Sequence, residues 1–85
     1  MATFSSTPGS SYVNVNTNSA PVFVELFEPG ILRVHVGPID PGSSNGTYHL
    51  ISYPDGMFSY GGNEKVWVRN DADTGTVKVI ATEVI

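Results

Sequence analysis

Beyond residue 20 the chain is a series of short apolar-rich runs broken by turn formers, and none carries the 3.6-residue period of an amphipathic helix. The runs are "VFVELFE" (22–28), "ILRVHV" (31–36), "TYHLISY" (47–53), "MFSY" (57–60), "KVWVR" (65–69) and "TVKVIATEV" (76–84). β-Branched and aromatic residues dominate them, which suits the pleated surface of a sheet. Pro29-Gly30 sets the first turn φ and tolerates a positive second one, the pattern of a type II turn, and predicts a hairpin. Pro54-Asp55-Gly56, Gly61-Gly62-Asn63 and "NDADTG" (70–75) predict further turns, and "GPIDPGSSNG" (37–46) predicts a loop. About six or seven short strands at this spacing predict an all-β fold: a small antiparallel β-sandwich, jelly-roll-like, or a barrel.

Within the runs, the two-residue period sorts side chains by face. Val66 and Val68 share one face, and Lys65, Trp67 and Arg69 share the other. Val22, Val24, Leu26 and Glu28 oppose Phe23, Glu25 and Phe27. Both faces therefore carry large apolar groups, as expected if one lines the core and the other meets a partner. Ordinary surface aromatics would give the same pattern.

Residues 1–20 differ from the rest. They hold eleven Ser, Thr or Asn and no charge, too little apolar surface to offset the entropy of ordering on their own. "YVNVN" (12–16) nevertheless alternates like a half-buried strand. The expected organisation is a flexible or extended N-terminal arm over 1–20, able to pair with a sheet edge of its own or a neighbouring subunit, and a single β-sandwich domain over 21–85.

Composition narrows the function. At 85 residues, folding buries only roughly 60–65 % of the unfolded surface, so stability is marginal without a further contribution. The absence of cysteine removes disulfides and thiolate metal sites, which shifts weight to self-association or docking. The net charge is −4, and Arg33, Lys65, Arg69 and Lys78 are scattered singly, so no basic cluster invites nucleic acid. No secretory signal pattern or membrane-length apolar run is visible, and a chain made in the cytosol with no membrane partner is expected.

Candidate chemistry is sparse. His35 and His49 sit mid-strand, where packing or hydrogen bonding is the simpler role than metal binding. No serine has a Gly-x-Ser-x-Gly setting, and nothing gathers Glu25, Glu28, Asp40 and Asp55 into a cleft. "NDADTG" looks like part of a calcium loop but runs into strand where the bidentate glutamate belongs, so a self-capped turn is expected. Asn45 in "NGT" matches a glycosylation acceptor, without consequence in an unexported chain. The sequence predicts no enzyme, no cofactor and no metal. Tyr48, Tyr53, Phe58, Tyr60 and Trp67 could form core, interface or a sugar-stacking platform. Core and interface rank first, because hydrogen-bonding side chains are not concentrated beside them. The candidate interface residues are Tyr12, Val13, Val15, Phe23, Phe27, Tyr48, Tyr53, Phe58, Tyr60 and Trp67.

From about residue 20 onward the chain resembles a class of very short virion proteins encoded in tailed-bacteriophage structural modules. The resemblance rests on a Ser/Thr-rich start and on a strand ending in Val-x-Val-Gly, here Val34 to Gly37. A Ser/Asn/Gly loop from Ser43 to Leu50, the "FSY" strand, "VWV" and a closing "VKVIATEV" complete it. The Pro-rich "GPIDPG" departs from the commonest pattern. The resemblance implies a capsid decoration (cement) protein that binds the outer head surface as a dimer or trimer, with the major capsid protein as partner. A tail or tail-fibre component, or a receptor- or carbohydrate-binding sandwich, is the alternative. It transfers no functional residue.

Overall fold

The computed structural model describes residues 2–42 and 46–84. Eight strands follow in order: β1 (Ala2–Ser6), β2 (Val13–Asn14), β3 (Val22–Leu26), β4 (Ile31–Val36), β5 (His49–Ser52), β6 (Met57–Tyr60), β7 (Val66–Asn70) and β8 (Val79–Glu83). They form two four-stranded sheets, sheet 1 ordered β1-β8-β3-β6 and sheet 2 ordered β2-β7-β4-β5.

The pairing follows a simple rule. β1 pairs with β8, β2 with β7, β3 with β6 and β4 with β5, all antiparallel, so partners stand equally far from the two ends of the series. A chain doubled back at the β4–β5 connection makes these four pairs. Rolling the doubled ribbon adds β3·β8 and β4·β7 and divides it into two sheets. This is the jelly-roll form of the β-sandwich rather than a barrel.

That topology corrects the expected hairpin at Pro29-Gly30. β3 lies in sheet 1 and β4 in sheet 2, so the turn crosses between sheets. Gly30 has φ 156°, not the roughly +80° that a type II turn needs at that position. The turns at 54–56, 61–63 and 70–75 also cross, and only β4–β5 stays within a sheet.

The core lies between the sheets, and eight of its eleven buried residues are valine. Val22, Val24 and Leu26 of β3 face inward, as do Leu32 and Val34 of β4, Val66 and Val68 of β7, and Val79 and Ala81 of β8. The period-two sorting of "KVWVR" and "VFVELFE" is therefore observed. A core of small aliphatics contains no large aromatic anchor. Phe58 and Tyr60 pack only against its rim.

Residues 2–20 are the extended form of the expected N-terminal segment and pair with sheet edges of their own chain, as part of the sandwich. β1 completes an edge of sheet 1 and β2 an edge of sheet 2, and Val15 is fully buried. Two polar residues fasten this segment. Asn16, also fully buried, accepts from Val66 N at 2.7 Å and from Asn14 Nδ2 at 3.1 Å. Its own amide donates to Glu64 O at 2.8 Å and Ala20 O at 3.0 Å. Glu83 is 2 % exposed, and its carboxylate accepts from Asn18 N, Asn18 Nδ2 and Ala20 N at 3.0, 3.1 and 3.2 Å. These bonds satisfy groups whose burial would otherwise be unfavourable.

Candidate interaction surfaces

Each sheet has an outer face, and the two differ. On sheet 1 the register aligns Thr3, Thr82, Phe23 and Ser59 in one outward row, and Ser5, Ile80, Glu25 and Met57 in the next. Only Glu25 is charged among these eight. Phe23 is 40 %, Phe27 51 % and Met57 56 % exposed. Lys78 borders the patch, its Nζ 5.5 Å from the Phe27 ring centroid, while its backbone N donates to Glu28 at 2.8 Å. Tyr53, also exposed, and Pro54 line a hollow beside Glu25 and Phe27.

The outer face of sheet 2 is partly covered by its own chain around His35 and Trp67, while Ile31 and Leu50 on the same face are exposed. The register sets His35 beside Trp67 and Arg33 beside Arg69, and Gly37 and Thr47 of the β4–β5 connection bond to the first pair. Trp67 Nε1 donates to Gly37 O at 3.0 Å, and His35 Nδ1 donates to Thr47 O at 2.6 Å. Two guanidinium groups on neighbouring strands repel each other. The "NDADTG" turn supplies the compensation: Asp71 bonds Arg33 Nε at 2.6 Å, and Asp73 stands 3.5 Å from Arg69. The Asp71 hydrogen bond holds the Arg33 guanidinium above its ordinary pKa. Tyr48 lies under Arg33 at 4.4 Å from its ring centroid, and Tyr12 is 6.0 Å from Arg69. In the turn itself Asn70 accepts from Ala72 N at 3.4 Å and donates to Thr74 O at 3.2 Å, as a self-capped turn should.

Tyr12 is buried there, and its hydroxyl makes no hydrogen bond of ordinary geometry, with the Arg33 guanidinium near enough to favour the phenolate. Tyr12→Phe is therefore expected to be neutral or to stabilise by up to about 1 kcal/mol at pH 7. Burial pushes the phenol above its ordinary value of 10, against the pull of Arg33 and Arg69. The folded chain thus holds this proton more tightly than the unfolded chain. Its contribution is complete below pH 10 and is lost as pH rises through the folded value. Thermal melts of both proteins across the alkaline range check this, with a shallower decline expected for Tyr12→Phe.

The candidate interface residues separate accordingly. Phe23 and Phe27 face outward from sheet 1, and Tyr53 is exposed in the β5–β6 connection. Val15 and Tyr12 are corrected to buried positions, one closing the core and the other lying beneath the β4–β5 connection. Val13 points toward the core side opposite Val68, partly open because β2 is an edge. Tyr48 and Trp67 are half-buried on sheet 2, and Phe58 and Tyr60 turn inward from β6. The five aromatics of residues 48–67 therefore occupy three different surfaces and make no common platform. Met57 was missed by the sequence reading, although it has the parity opposite to Phe58 and Tyr60 and must face outward when they face in.

The two histidines stand apart among the described residues. His35 faces outward beside Trp67, while His49 faces inward opposite Val34, so the two histidines occupy opposite faces of sheet 2. No group of three or more His, Asp or Glu among the described residues could hold a metal. Three surface hollows have volumes of about 190, 180 and 260 Å³, below the roughly 300 Å³ at which small-molecule pockets begin. Asn45 lies outside the described residues. No family model matches the chain, and neither the characterised proteins nor the solved structures contain a match to it.

Proposed function

We propose that this chain is a non-enzymatic structural protein of a tailed-phage virion, a capsid decoration protein that docks on the outer head surface and stabilises it as an oligomer. The observation that carries the reading is the outer face of sheet 1, where Phe23, Phe27 and Met57 are exposed around Glu25, with Lys78 and Glu28 at the border. Depletion of charge with aromatic and Met enrichment marks the centre of a protein interface. The resemblance of residues 20–85 to short phage virion proteins names the setting. The jelly roll is compatible with it, since viral capsid proteins use that fold, but lectins do too, so the fold alone decides nothing. The sugar-binding alternative is weakened by the dispersal of its aromatics.

Binding to a shell contributes stability that a thin valine core lacks. Phe23→Glu leaves the core intact and places a charge at the centre of the face. Its affinity for undecorated shells of the phage whose genome encodes this chain is expected to fall about 30-fold, the effect of losing an anchor worth roughly 2 kcal/mol. Unchanged sedimentation with shells would remove this face from the account.

A further inference from the structure

The distribution of charge over the strands is inverted relative to ordinary sheets. Each central strand carries one charged residue: Glu25 on β3, Arg33 on β4, Arg69 on β7 and Glu83 on β8. The edge strands β1, β2, β5 and β6 carry none, and none contains proline. Sheet edges present unpaired backbone groups and are normally guarded by charge, proline or brevity. Here β2, with two residues, is short. β1 is rich in Ser and Thr. The flank formed by β5 and β6 has no such guard.

That flank is also apolar. From Gly46 to Asn63 only Asp55 is charged. Leu50, Tyr53 and Met57 are exposed, and Phe58 and Ile51 only half cover the rim of the core. The backbone is oriented for pairing as well. Leu26 N donates to Gly56 O at 2.7 Å, and antiparallel alternation places the next bonded pairs at Val24–Phe58 and Val22–Tyr60. The N–H and C=O groups of Met57 and Ser59 consequently point away from β3, to the free edge.

We propose that β6 pairs antiparallel with β6 of a second copy about a two-fold axis at Ser59. This rests on the self-associating reading above and names its contact. A second copy is the fitting occupant because the edge offers no charge for a different partner to match, while the sequence complements itself. With Ser59 opposite Ser59, Met57 falls opposite Gly61 twice, and these three pairs exchange about six backbone hydrogen bonds. Phe58 then lies opposite Tyr60 at both closely spaced positions, an aromatic cross-strand pair. The axis is perpendicular to the sheet, so the outer faces of both copies become one eight-stranded surface, with Phe23 and Met57 repeated across it. The docking face is doubled.

The test is the mass of the free protein by light scattering coupled to size exclusion. The wild type is expected at twice 9.1 kDa, and Ser59→Pro at the single mass with its cooperative melt retained. Proline at this position removes only an outward N–H and spares the β3–β6 ladder. Ser59→Cys supplies a second readout should the proline variant fail to fold. Opposed at a two-fold, its thiols are within disulfide reach, and oxidation is expected to convert the chain to a covalent dimer, whereas Thr3→Cys on the opposite edge is not. A monomeric wild type, or a dimer that survives Ser59→Pro and does not cross-link in the Ser59→Cys variant, would overturn the pairing. Shell binding by Phe23→Glu is read separately, so either proposal can fail alone.

Discussion

Asn16→Ala is expected to lower stability by about 3 kcal/mol. The side chain is fully buried and makes four hydrogen bonds. Its removal leaves Val66 N without an acceptor and Ala20 O and Glu64 O without this donor, at roughly 1–3 kcal/mol for a buried group left unpaired. A chain of this length has a total stability of roughly 4–13 kcal/mol, so the melting temperature should fall by about 12–24 °C. Thermal unfolding followed by circular dichroism measures it. A shift of under a few degrees would mean that water replaces the amide, and that the segment is not held as described.

A chain beginning at Pro21 is expected not to fold. It lacks β1, β2 and the fully buried Val15. It also loses the Asn18 and Ala20 donors and so leaves the Glu83 carboxylate without the three hydrogen bonds that hold it. A buried charge stripped of its partners costs about 3–5 kcal/mol by itself. Together with the lost core contacts, this exceeds the lower part of the stability range. The expected melt has no cooperative transition. A sigmoidal melt for residues 21–85 would restore the separate arm that the sequence suggests, and would make deletion of that arm a clean probe of shell binding.

The contrast between sequence and structure is instructive at particular residues. β4 and β6 coincide with the runs "ILRVHV" and "MFSY" because turn formers bracket each run closely. Parity within "KVWVR" separates Val66 and Val68 from Trp67 because alternation is a property of the strand itself. The Pro29-Gly30 connection is different. Turn chemistry announces a reversal but does not say whether the second strand joins the same sheet or the opposite one. β1 is illegible because "ATFSS" has little apolar pattern, and its order comes from β8, including a 2.9 Å contact between the Thr3 and Thr82 hydroxyls. Asn16 reads as the polar half of an alternation, yet its partners Glu64 and Val66 lie about fifty residues away.

Exposure at the outer faces is equally a long-range matter. Phe23 stands on the non-core side of β3, and Tyr12, just before β2, lies outside the core cluster. Asp40 and Gly42 stand beside Tyr12, which is buried, while Phe23 is exposed on sheet 1. The sequence does show that both sides of β3 carry apolar groups.

The proposed decoration role is tested most directly by quantitative mass spectrometry of density-banded tailed-phage virions grown with the gene for this chain, giving its copy number against the major capsid protein. The account predicts a fixed stoichiometry to the capsid protein, retained in tailless heads. Absence from banded heads, or a copy number that follows tails, would contradict it.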